Sequence, residues 1–201
     1  EILKEEINSI WIGKVRKLTL RDCAVNILPK LRIHEENEME WLVLHVPTGD
    51  NIIEIIKKEI NNIWIGKVKN LELKDYAVRI LPKLRIHEEN EMEELWLHAL
   101  GADNITEILK EEINTIWIGK VRKLTLRDYA AEVLPKLGIH EENVMEELSL
   151  SADDTKHLAK ILKEEINSIW IGKVRKLTLR DYAVNILPKL RIHEENEMEE
   201  L

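Results

Sequence analysis

The residues with most chemical potential sit in the recurring segment IHEENEME, where His34 and Glu38 are one helical turn apart. An imidazole and a carboxylate on one helix face can share a metal ion. Zinc hydrolases built this way need two imidazoles in HExxH, and Glu38 occupies the place of the second. Di-iron carboxylate sites need ExxH pairs converging from facing helices, and no such pair of motifs converges here. The segment reads as the acidic first turn of a helix behind a capping histidine. No metal and no cofactor is expected, and added zinc is expected to leave the melting temperature unchanged. Cys23 is the single cysteine, and Tyr76, Tyr129 and Tyr182 hold its place elsewhere. It reads as a small core residue or a unique handle, and alone it excludes an internal disulfide framework. No catalytic residue emerges, so the chain is not expected to be an enzyme.

The hexapeptide IWIGKV begins at Ile10, Ile63, Ile116 and Ile169, always 53 residues apart. Tryptophan beside glycine, with Lys120 adding a cation, could form an aromatic ligand pocket. The alternative is a packing device. A glycine inside a helix costs about 1 kcal/mol relative to alanine, so four copies imply a use for the missing side chain. Trp11, Gly13, Trp64, Gly66, Trp117, Gly119, Trp170 and Gly172 are accordingly expected to serve structural packing. Trp would fill an interface, and Gly would admit a crossing helix or a kink. The basic stretch KVRKLTLRD is flanked by acidic segments and reads as a solvated face. A net charge of −8 opposes a nucleic-acid partner, because phosphate binding needs concentrated Lys and Arg. No apolar run approaches the roughly 20 residues of a membrane span, and EILKEE is neither a signal nor a transit peptide. A soluble protein, cytoplasmic if expressed recombinantly, is the expectation.

These residues are positioned by a repeat. Four units are delimited at 1–50, 51–103, 104–156 and 157–201, the first and last truncated, in one array. Ile108–Leu148 matches Ile161–Leu201 at all but six positions, and divergence sits mainly at the junctions WLVLHVPTGDN, ELWLHALGADN and ELSLSADDTKH. The third unit parses into three helices. The first runs from about Ile105 to Lys123, behind a capping box of Asn104 and Glu107. The second carries Leu126, Tyr129, Ala130, Val133, Leu134 and Leu137 at helical spacing, with Pro135 bending or ending it. Gly138 suits a left-handed C-terminal cap, and the third helix follows from His140 to about Leu150. Arg32, Arg85 and Arg191 occupy the Gly138 position at about 1 kcal/mol each if it is left-handed; Arg191→Gly is then expected to stabilise. An odd number of antiparallel helices inverts each successive unit, which would give a corrugated stack. The fold class expected is all-α: four tandem three-helix repeats stacked as an α-solenoid-like or corrugated array.

The period matches none of the common helical repeats, at about 33–34 or 40–47 residues. With near-identical units, no internal insertions, capping boxes and Glu/Lys-rich faces, the chain resembles designed tandem helical-repeat proteins, in particular solenoids of three-helix units with alternating handedness. That resemblance implies a structural scaffold with no intrinsic catalytic activity, and it transfers no functional residue. The alternative is a protein- or peptide-binding repeat module that uses the groove between stacked units. A binder needs solvent-facing positions that vary from unit to unit. No partner is required, and terminal repeats without a polar cap leave the ends open to self-association.

Overall fold

The computed structural model describes residues 6–57, 59–60 and 62–201; residues 1–5, 58 and 61, and with them most of the opening EILKEE, lie outside it. The chain is built of parallel strands, which overturns the all-α expectation. In order they are β1 (Ile10–Gly13), β2 (Lys17–Arg21), β3 (Leu31–Ile33), β4 (Glu38–Val46), β5 (Ile63–Asp75), β6 (Leu84–Ile86), β7 (Glu91–Ala99), β8 (Ile116–Asp128), β9 (Leu137–Ile139), β10 (Val144–Ala152), β11 (Ile169–Asp181) and β12 (Leu190–Ile192). One helical turn, α1 (Ile53–Ile56), and short 3-10 segments complete the described chain.

The main sheet runs β2-β4-β5-β7-β8-β10-β11, every neighbouring pair parallel. Asn70 stands beside Glu94 and Glu94 beside Lys123, so successive coils are 24 and 29 residues long and two coils make one 53-residue unit. All coils advance in the same direction. The corrugated, alternating stack is therefore excluded, because inverted units would place antiparallel neighbours in the sheet. The short strands β3, β6, β9 and β12 pair only with the IWIG segments of β1, β5, β8 and β11.

The sequence pattern behind the strands has period two. Along β8, Ile116, Ile118, Val121, Leu124 and Leu126 point inward and are buried, while Trp117, Arg122, Lys123 and Arg127 are exposed. Alternation breaks at Val121-x-x-Leu124, where two consecutive side chains face outward. Met92-x-x-Leu95 breaks in the same place on β7, so the register survives the break. Reading this run as the second half of a helix mistook an interrupted two-residue period for a rotating helical face.

Behind the sheet, Tyr76–Lys83, Tyr129–Lys136 and Tyr182–Lys189 form 3-10 helices where the second α-helix of each unit was expected. Ala130 and Val133, and Ala131 and Leu134, are pairs three apart, all buried. That spacing is common to α and 3-10 geometry, and in the latter such side chains eclipse. These groups close one continuous core against Leu71, Leu73, Leu95, Leu97, Leu124 and Leu126. The expected third helix is a turn followed by β10. Gly138 lies in β9 and not in a left-handed cap, so Arg32, Arg85 and Arg191 are ordinary strand residues and the expected gain from Arg191→Gly has no basis. Asn104 is not an N-cap: it is the third residue of the 3-10 segment Ala102–Ile105, where its Oδ1 accepts the N–H of the cap residue Gly101 at 2.7 Å, and Glu107 pairs with Arg79 and Lys110 instead.

Candidate functional site

The Trp-Gly pair sits where each long strand turns a corner. Gly13, Gly66, Gly119 and Gly172 have φ between +68° and +72°, a region closed to most L side chains. A Cβ on Gly66 would stand 3.1 Å from the Asn37 carbonyl oxygen, and one on Gly119 3.0 Å from that of Asn90. The glycine thus admits a close neighbour and a bend, but in a strand corner and with the preceding coil. Asn90 is the other half of this corner. It is buried, its Oδ1 accepts the Val68 N–H at 2.7 Å, and its Nδ2 donates to the Val68 carbonyl at 3.1 Å. Asn37 and Asn143 treat Val15 and Val121 in the same way. Sequence reasoning passed over these asparagines, although the fixed place of Asn at the end of HEEN was the available signal.

The tryptophans do not fill a core. Trp11 is 56% and Trp117 40% exposed, and Trp64 and Trp170 are half-buried. Each lies 5.8–6.0 Å from a histidine ring, of His34, His87, His140 and His193 respectively. Arg32, Arg85 and Arg191 stand 4.9–5.2 Å over three of the rings, and Gly138 leaves Trp117 without that cation. The histidines belong to turns rather than helices. His34 Nδ1 accepts the Glu36 N–H at 3.1 Å and its carbonyl accepts the Asn37 N–H at 2.9 Å, so His34 and Glu38 never share a helix face. Cys23 is exposed rather than core, and its thiol donates to Asn51 Oδ1 at 3.0 Å.

The solvent face of the main sheet is the surface most unlike itself from coil to coil. Three of the odd coils present Lys, Thr and Arg, at Lys17, Thr19 and Arg21, at Lys123, Thr125 and Arg127, and at Lys176, Thr178 and Arg180, whereas β5 presents Asn70, Glu72 and Lys74. The intervening coils diverge: Trp41, Val43 and His45 on β4, Glu94, Trp96 and His98 on β7, Glu147, Ser149 and Ser151 on β10. These are the stretches read from sequence as junctions. Trp41 and Trp96 flank a recess of about 170 Å³ floored by Leu71 and edged by Asn70, Glu72 and Glu94. Lys74 Nζ lies 4.6 Å over the Trp96 ring and the His98 ring 5.6 Å from it. Arg21, His45, Lys74, His98 and Arg127 are register partners alongside; His45 pairs with Asp75, Lys74 with Glu72 and His98 with Asp128.

Charged groups behind the sheet link coil to coil. Arg79 reaches Glu107 at 3.1 Å, and a hydrogen bond from Lys110, reinforced by Arg79, holds the Glu107 carboxyl below its ordinary value. One unit later the charges are exchanged, with Glu132 at the Arg79 position and Lys160 at the Glu107 position. Glu132 is buried and accepts the Lys160 backbone N–H at 2.6 Å, and its burial raises its carboxyl pKa.

Comparison with known proteins finds no family model, no curated protein and no solved structure that matches the chain. The coordinates by themselves define the class, a large parallel sheet to which each coil contributes one strand, and this overturns both the helical-solenoid reading and the resemblance to designed three-helix repeat proteins. Its Met-x-x-Leu-x-Leu and Val-x-x-Leu-x-Leu runs alternate from coil to coil at the 24- and 29-residue steps of the sheet. Among the described residues no helix is long and apolar enough to cross a membrane.

Proposed function

We propose that the chain is a binding module whose open sheet face takes an extended protein segment carrying an apolar or aromatic anchor beside acidic residues. The observation that carries this reading is the divergence of solvent-facing side chains on β4, β7 and β10, while the inward Met and Leu positions of the same strands repeat. A purely structural repeat has no need of such variation. Trp41 and Trp96 supply large, rigid contact area of the kind that dominates binding energy, and the recess between them suits one side chain. Arg21 and Arg127, at the two ends of the aligned row, favour carboxylates next to that anchor.

The test is selection of a random peptide display library against the folded chain, counter-screened on Trp41→Ala/Trp96→Ala. The expected result is enrichment of peptides with an aromatic residue flanked by Asp or Glu, binding at least tenfold more weakly to the variant. Equal enrichment on both proteins, with the variant's circular dichroism unchanged, would reject the reading. A purely structural scaffold is the second reading, favoured by the repetition of Lys, Thr and Arg on β2, β8 and β11; a selection yielding no peptide would support it.

A further inference from the structure

At the C-terminal edge of the sheet, Asp128 ends β8, Asp153 follows β10, and His157 lies in the 3-10 segment Thr155–Leu158. His157 is 6% exposed, with Nδ1 at 3.0 Å from Asp153 Oδ1 and 3.6 Å from Asp128 Oδ1. Neither approach has hydrogen-bond geometry, so this buried nitrogen is unpartnered. One imidazole nitrogen and two carboxylate oxygens converge within 4.8 Å of one another. Such a set of one nitrogen and two oxygens can share a metal cation. The two separations bracket the about 3.3–3.4 Å between neighbouring ligands of a tetrahedral ion with bonds of about 2.0–2.1 Å.

The surroundings hold the donors in place. Asp128 Oδ2 lies 2.9 Å from His98 Nε2, the outer-shell support that orients a ligating carboxylate. The Tyr129 ring stands 4.3 Å from the His157 ring. Lys156, the residue before His157, is engaged elsewhere, its Nζ pairing with Asp154 at 2.9 Å. Two of the donors also arrive together in one coil: Asp153 stands where earlier units have Pro47 and Leu100, and His157 where they have Asn51 and Asn104. Asn104 closes its own coil through Gly101, so closure does not require histidine.

We infer that Asp128, Asp153 and His157 bind a divalent transition-metal ion of the zinc class. Imidazole with two carboxylates favours zinc over calcium or magnesium, which prefer all-oxygen cages. Three protein ligands leave a fourth position for water, on the side of Asp153, whose side chain is 77% exposed.

Calorimetric titration of zinc chloride into the untagged, chelator-treated full chain tests this, with melting temperature recorded in parallel. One equivalent is expected to bind and to raise the melting temperature. His157→Asn should weaken binding at least 100-fold, and Asp153→Asn and His98→Gln about 10–100-fold each. If His157→Asn fails to fold, the surface change Asp153→Asn decides. Absence of binding, or binding undiminished by Asp153→Asn, overturns the assignment.

Discussion

At Gly119, a backbone of φ +71° and a carbonyl 3.0 Å from the absent Cβ act against the same substitution. Gly119→Ala is expected to destabilise by about 1–3 kcal/mol from the backbone strain, with more if the Asn90 carbonyl must move. Urea unfolding measures it. Asn90 presents the complementary case. Its amide satisfies both polar groups of Val68, and Asn90→Ala strands them in a buried position. The expected loss is about 2–4 kcal/mol, from one unmet donor and one unmet acceptor. The tryptophans beside these glycines should behave differently. With its indole 40% exposed and no arginine over the ring, Trp117→Ala should cost less than Trp64→Ala, where Arg85 is stacked. The broad collapse expected of a buried indole does not apply to Trp117. Equal losses at the two positions would show that the stacked arginine contributes nothing.

At the scale of elements, the exchanged pairs Arg79–Glu107 and Glu132–Lys160 join neighbouring 3-10 layers with opposite polarity. Their pH dependences should also be opposite. Glu132 has a folded-state pKa raised by burial, so the folded state holds the proton more tightly than the unfolded one. Its contribution to stability falls as pH rises from the ordinary carboxylate value through the raised one. Glu107 is lowered, so its contribution is full above the ordinary value and is lost as pH falls through the folded one. Glu132→Gln keeps an acceptor for the Lys160 N–H and removes the buried charge. It is expected to gain on the order of 1 kcal/mol at neutral pH, roughly 2–4 °C in Tm for a chain of this size. The gain should vanish in acid, where the wild-type carboxyl is already neutral; a gain independent of pH would point to packing instead.

For the whole molecule, each coil touches mainly its neighbours, so stability is expected to propagate along the stack. Far-UV circular dichroism should show a β-sheet spectrum without the helical double minimum. Hydrogen exchange should protect the amides of β4, β5, β7, β8 and β10, each paired on two sides, more than those of β2, which is paired on one. Much of this molecule was legible in the chain: the 53-residue period, the absence of insertions, the inward Ile and Leu positions, and a special role for the IWIG glycine. The half-period was legible too, because Met92-x-x-Leu95-x-Leu97 and Val121-x-x-Leu124-x-Leu126 share one spacing. The type of element was not. Short apolar runs with gaps of two and three satisfy a strand, a 3-10 turn and an α-helix nearly equally, and Glu, Lys and Leu favour the helix by propensity. Pairing between coils decides among them, and that pairing joins residues 24 and 29 positions apart, beyond any local window. The same reason hid the His157 cluster, since Asp128 meets Asp153 and His157 only because β8 and β10 are neighbours in the sheet. The sequence by itself determined the repeat, its composition and which side chains are apolar. Only the tertiary structure decided which backbone those side chains stabilise, because the hydrogen bonds that define a parallel sheet exist only between coils.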